Sequence, residues 1–416
     1  MAPRDVDQFL GQQVAGCDNA ARTDDQDVLE NVGLRVSGVL ASGKLRKRPN
    51  PNCDFNQDSS MSTSDAASVS HDGQKLASFE GLRGVLALTV CIGHIGLNTV
   101  TERFGFHVRF ELAVTMFFTL SGFVLARSYY FQRRTFWRLF SGRVARLYPL
   151  HLLTFLWCVS LAVLERKSLD PPLIFQNIFL LQNIGLHPNR WEFNVPSWSI
   201  SVEMLASLLF YFVLLRRRAV LLPALVIAGI AGSALAAASG LDPAQNYLSV
   251  INIGVLQGTS GFCLGSAAYL ATLNPPPIFT RLRWLTPVLF LAVALFFVLP
   301  NWSWVAGGLF ALCSVLAVTF SAINDDATFL SSRPFVYLGA ISYSIYLLHI
   351  PVLITAVYLF SDDRSRGLVA KSLLVLAVLL ISAICHRYFE LPMQRLLLYC
   401  MADRNLARSQ RTSNFV

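Results

Sequence analysis

Arg83 and His94 stand eleven positions apart in the stretch LASFEGLRGVLALTVCIGH (76–94). At about 100° per residue a helix puts them roughly 20° apart on one face, separated by about 16 Å along its axis. A guanidinium and an imidazole on one stripe of a membrane helix are costly and mark a pathway or a site. The plainer alternative is an arginine snorkelling to the interface and a histidine hydrogen-bonded between helices. An imidazole titrates near neutrality, so the chemistry in reach is general-base proton transfer or, as the alternative, a two-step covalent route through the ring nitrogen.

Three further groups belong with this pair. Arg143 and Arg146, at i and i+3, face the same way and can clamp a phosphate, although plain headgroup anchoring needs the same residues. Glu203 enters an apolar run behind Ser199 and Ser201 in PSWSISVEM (196–204), and an intramembrane glutamate calls for a partner. In LGAISYSIYLLHIP (338–351), Ser342, Tyr346 and His349 at i, i+4 and i+7 form a polar stripe on an apolar helix. Helix rise puts His94 roughly two thirds of the way across a membrane and Glu203 one to two turns below the outer surface, at similar depth. A His94–Glu203 pair is therefore allowed, with the carboxylate fixing the ring tautomer as in hydrolase triads. The donor for an oxyanion can be Tyr346, Ser121 or a helix N-terminus. Arg387 and Glu390, at i and i+3, are expected to pair at the end of the last span, with Pro392 stopping that helix.

These residues need a scaffold of apolar helices. The chain has 416 residues, is 54% hydrophobic and 14% charged, and has a mean hydropathy of +0.50. It reads as an all-α polytopic membrane protein with about ten transmembrane helices. They lie at roughly 83–100, 110–129, 148–164, 198–215, 219–238, 249–272, 284–300, 303–323, 335–359 and 368–388. Between the second and third, the stretch 130–147 interleaves arginines with Phe131, Phe136, Trp137 and Phe140, a basic amphipathic helix for the membrane interface.

Arginines gather in alternate loops, at Arg127, Arg133, Arg134 and Arg138, at Arg216, Arg217 and Arg218, and at Arg281 and Arg283. The positive-inside rule then makes both termini cytoplasmic and turns the loop 165–197 outward. Residues 1–75 are polar and read as a disordered tail without a signal peptide, or as a misassigned start with Met61 as the true one. Residues 76–395 form the membrane domain and 396–416 a basic cytoplasmic tail. The net charge of +9 lies in these short loops, which suits lipid and topology and excludes a nucleic-acid partner. Cys91, Cys158, Cys263, Cys313 and Cys385 lie in apolar runs without CxxC spacing, so neither disulfides nor a metal site is expected.

Taken in order, FEGLRG (79–84) with His94, FFTLSGFVL (117–125), RVARLYPLHLL (143–153), PSWSISVEM, SYSIYLLH (342–349) and RYFELP (387–392) resemble the acyltransferase 3 family of bacterial membrane O-acyltransferases. The resemblance covers about residues 76–395. It implies that His94 is the catalytic centre with Arg83 as its companion, that Arg143 and Arg146 meet the acyl-CoA donor, and that Glu203 lines the same cavity. Ser121, Ser199, Ser201, Tyr346 and His349 are then cavity residues. Where the family leads one to expect a basic residue before GFxLG, this chain has QGTSGFCLG (257–265).

The function expected is transfer of an acetyl or short acyl group from acetyl-CoA to a hydroxyl of a cell-surface carbohydrate or lipid-linked glycan, at the inner membrane and without a metal. A secondary transporter for a sugar-linked or small organic compound, using the same residues as a path, is the alternative from another class. The chain shows no internal repeat, which weighs against that alternative. A scaffold whose polar residues only hold helices together is the third.

Overall fold

A computed structural model describes residues 63–96, 108–130, 135–183, 193–215, 218–240, 247–248, 251–299, 303–324, 329–360 and 367–401. The expectations for residues 1–62, for Arg133, Arg134, Arg216 and Arg217, and for the tail beyond 401 lie outside these residues. Apart from a two-residue antiparallel bridge between 247–248 and 251–252, the regular structure described is helical.

The first helix, α1 (Thr63–Ile95), is followed by α2 (Glu111–Tyr130), α3 (Phe136–Leu164), the short α4 (Pro171–Ile178) and α5 (Ser197–Val213). Then come α6 (Arg218–Ser239), α7 (Ile253–Leu273), α8 (Pro277–Arg281), α9 (Leu285–Phe296), α10 (Trp304–Asn324), α11 (Arg333–Ala340), α12 (Ser342–Phe360) and α13 (Leu368–Cys385). Among the described residues, seven segments are long and apolar enough to cross a membrane: Ala77–Ile95, all of α2 and α3, Leu221–Ser239, all of α10 and α12, and Leu368–Met401. Each of the ten stretches expected from the sequence holds a helix, but three fall short of that standard. The 17-residue α5 and the 12-residue α9 are short. The 21-residue α7 is long enough, but it spends positions on Gln257, Ser260, Ser266 and four glycines.

That composition follows from where α7 sits. It packs most extensively on α2 and α6, inside the bundle. A Cβ on Gly265 would come within 1.8 Å of the Thr119 carbonyl oxygen, and one on Gly122 within 2.5 Å of that of Phe262. Glycines thus let the α2 and α7 backbones touch, the close approach that small residues give membrane helices. Of the α2 span, 72% is buried, against 17% for the last helix, which faces outward along most of its length.

A second glycine seam fixes α1. A Cβ on Gly339 would lie 2.0 Å from the Glu80 carbonyl oxygen, and one on Gly84 2.6 Å from the Gly339 nitrogen. The span expected at 335–359 therefore breaks, with α11 ending and α12 beginning around Ile341, next to where Gly339 passes α1. From that seam α1 and α12 run side by side to a contact between His94 and His349.

Three other expectations change. The arginine-rich stretch and the third span are one element: residues 136–164 form a single helix through Pro149, whose first turns expose Trp137, whose middle turns bury Leu147, Leu150 and His151, and whose end exposes Val163 and Leu164. The helix after residue 385 does not stop at Pro392. Residues His386–Glu390 form a π-turn, with the Leu391 N–H bonded to the His386 carbonyl, and the helix runs on to Met401. The wider turn makes room for the proline ring, which clashes with the carbonyl four residues back in a regular helix. Finally, Glu390 does not pair with Arg387: its Oε2 accepts from Ser344 Oγ at 2.6 Å and lies 3.0 Å from His386 Nδ1, while Arg387 sits over the Tyr388 ring.

Candidate active site

Five helices, α1, α2, α3, α5 and α12, bring the polar residues into one column. Along α12, Tyr343 donates its hydroxyl to the Leu147 carbonyl of α3, Tyr346 meets Ser199 of α5 at 2.8 Å, and His349 meets His94 of α1 at 3.3 Å. These contacts order the site from an arginine end to a histidine end.

At the arginine end Glu203 accepts hydrogen bonds from Arg143 Nη1 and from Ser121 Oγ, the latter at 2.9 Å. Arg83 reaches Glu80 at 3.2 Å, and Arg83, Arg143 and Arg146 all act electrostatically on Glu203. The Arg143 and Glu203 side chains are 15% and 22% exposed, so three guanidiniums share one largely enclosed carboxylate. Glu80 is 41% exposed and partly hydrated, so it offsets less of that charge. The surplus is positive and suits an anion with several oxygens. A cleft lined by Phe136, Phe140, Met204 and Tyr211 opens beside Arg143.

The middle of the column is a hydroxyl pair. Ser199 Oγ donates to the Pro196 carbonyl at 3.0 Å, so its one proton is spent and Tyr346 must donate to it. Ser121 likewise spends its proton on Glu203. Both side chains considered for the oxyanion already have acceptors, and either must change partner to serve. Ser201 is not in the column. It lies 200° round the helix from Ser199, and its hydroxyl donates to the Leu180 carbonyl at 2.6 Å.

At the histidine end the rings of His94 and His349 have centroids 5.0 Å apart, and Phe110 covers His94 at 4.9 Å. His94 Nδ1 lies 3.1 Å from the Val90 carbonyl and His349 Nδ1 3.2 Å from that of Ile345. His349 has no exposed surface.

The expected pairing of His94 with Glu203 is thus corrected. From the His94–His349 level the column descends three residues on α12 to Tyr346, crosses to Ser199, and descends four on α5 to Glu203, about 10 Å in all. The cause lies in the segment before α5. Asn194 is buried and donates to Thr154 Oγ1 at 3.1 Å and to the Leu347 carbonyl at 2.9 Å. Gln182 holds the Ser197 carbonyl and hydroxyl at 3.0 Å each. The start of α5 is thereby held down inside the bundle, and Glu203 comes level with the arginines. Sequence reasoning missed Asn194, Phe110 and the role of Phe117, whose ring lies 5.9 Å from that of Tyr346. The spacing of Phe110, just before α2, with Phe117 and Ser121 on α2 was the available signal.

Gln257 stands in the segment where a basic residue was expected. It is buried in the α2–α7 seam and donates to Thr115 Oγ1, away from the column.

The acyltransferase domain family matches residues 76–387, about three quarters of the chain. The acyltransferase MdmB of Streptomyces mycarofaciens is 28% identical over 384 residues, covering 78% of this chain and 92% of its own. No solved structure matches. The match takes in α1 from residue 76, all of α2–α13 and the whole polar column, and the chain belongs to the acyltransferase 3 family: it is a multi-pass membrane acyltransferase.

Proposed function

We propose that the protein moves an acetyl or short acyl group from acyl-CoA to a hydroxyl of an exported or cell-surface carbohydrate, with His94 as general base. The observation that carries this reading is the column itself, an anion-binding cluster at one end and an imidazole at the other. Arg143 and Arg146 suit the donor's phosphates, with Arg83 beside them. The thioester then extends past Ser199 and Tyr346 to His94. There the acceptor hydroxyl gives its proton to His94, its oxygen attacks the thioester carbonyl, and the departing thiolate takes the proton back. The products are an ester and free CoA, with no net change in the protein. Glu203 holds Arg143 in place for the donor and does not orient His94.

The positive-inside rule makes the arginine end cytoplasmic, where acyl-CoA is made. His94 then lies toward the opposite face of the inner membrane, where a glycan acceptor can reach it.

The test is transfer of radiolabelled acetyl from acetyl-CoA in membranes carrying the protein. His94→Ala should abolish transfer at normal expression and insertion. Substantial remaining transfer would rule out the assignment, and an absence of transfer by the wild-type protein to any membrane or surface glycan would remove the donor–acceptor pair.

A further inference from the structure

The two histidines are held alike. In each, Nδ1 lies close to the backbone carbonyl four residues earlier, Val90 for His94 and Ile345 for His349. A carbonyl oxygen only accepts, so each Nδ1 must carry a hydrogen. Neutral His349 then presents a lone pair at Nε2, and it is this atom that faces His94 Nδ1, at 3.3 Å. The His94 Nδ1–H is thus shared between the Val90 carbonyl and His349 Nε2. The His94 tautomer follows: hydrogen on Nδ1, lone pair on Nε2.

We propose that His349 is the positioning residue of His94, a neutral imidazole that fixes its ring and tautomer so that Nε2 is the atom that takes the acceptor's proton. This rests on the general-base reading of His94 given above. Orientation of a basic imidazole through its second nitrogen is a general requirement of such catalysis. A carboxylate is the usual orienter, yet the carboxylate near this column is about 10 Å lower and committed to Arg143 and Ser121. When His94 takes the proton, its Nδ1–H remains on His349 Nε2 and the Val90 carbonyl, and the new charge rests against two acceptors. Burial of His349 on all sides, with Tyr346 at 6.1 Å between ring centroids, keeps that ring from turning.

The geometry gives a test that depends on reach. Gln can place its amide oxygen near the position of His349 Nε2, whereas Asn stops short of it. Radiolabelled acetyl-CoA serves as donor and the producing cell's own membranes as the source of acceptor. Turnover at saturating donor should fall by about 10²-fold in His349→Asn and in His349→Leu, while His349→Gln stays within about tenfold of wild type. The KM for acetyl-CoA should be unchanged in all three, because the arginine end is intact. Thermal unfolding in detergent identifies variants that fold, and the Asn–Gln comparison decides if Leu does not. Equal losses in Asn and Gln, full turnover in Asn or Leu, or a loss confined to KM would each overturn the proposal. His94→Ala measured alongside separates the two levels. If it is inactive while His349→Asn is fully active, the positioning role alone is lost; if it keeps wild-type turnover, the general-base reading goes as well.

Discussion

Glu203 carries opposing demands that are visible only residue by residue. It is the enclosed carboxylate among Arg83, Arg143 and Arg146, and removing one partner of a buried ion pair leaves the rest uncompensated. Glu203→Gln should therefore lower stability by on the order of 3 kcal/mol, seen as a drop in the unfolding midpoint in detergent. Added CoA should recover more of that loss than it adds to the wild type, because its phosphates replace the missing charge; equal shifts in both proteins would count against a phosphate site. Arg143→Lys keeps the charge and loses the two-pronged guanidinium, so the KM for acetyl-CoA should rise with little change in that for the acceptor. An unchanged donor KM would reduce Arg143 to an anchor. At this scale the sequence showed the types and spacing of Arg83, His94, Arg143 and Glu203. It did not show which met which, because pairing depended on the depth of α5, and that is set by Asn194 and Gln182, ordinary amides in a loop with no periodic signal.

The elements follow apolar length closely, and each expected stretch holds a helix. What length could not reveal is continuity. A proline inside a pattern ordinarily ends it, yet α3 passes through Pro149, and the last helix passes Pro392 by way of a π-turn. Nor could length say that α7 lies inside the bundle; its glycines carry that information, and only with a partner backbone in view. Gly265→Ala forces a Cβ against the Thr119 carbonyl and should destabilise the protein by about 1–3 kcal/mol. Because Ser121 lies on the same helix as Thr119, donor binding should weaken with it. Gly142→Ala in α3 meets nothing within 4 Å and, in a helix, should be neutral or slightly stabilising. Thermal unfolding of the two variants side by side tests the seam against a general intolerance of helical glycine substitution.

For the molecule as a whole, the proposed arrangement has a direction. Donor and acceptor enter from opposite faces, so acyl groups cross while CoA stays behind. Ser168 and Thr280 are exposed, in the turn after α3 and in α8. In a cysteine-free background, an impermeant thiol reagent added outside intact cells should label Ser168→Cys and not Thr280→Cys. In sealed inside-out vesicles, acetyl-CoA added to the medium should support acylation of a lumenal acceptor. The reverse labelling pattern would invert the chain and end the vectorial scheme.

The separation of the anion cluster from His94 also makes the enzyme a ruler. About 10 Å of helix rise lies between the Glu203 level, where the guanidiniums gather, and the imidazole. A donor gripped by its charged end reaches His94 only if the arm between phosphate and thioester has that length. With acyl-CoA as the proposed donor, selection among thioesters would be partly metric, made by the scaffold before any acyl pocket is consulted. A truncated thioester with the same acetyl group but no phosphates would have nothing to hold at the far end. It should react slowly, and its rate should be indifferent to Arg143→Lys, whereas the full-length donor should feel that change.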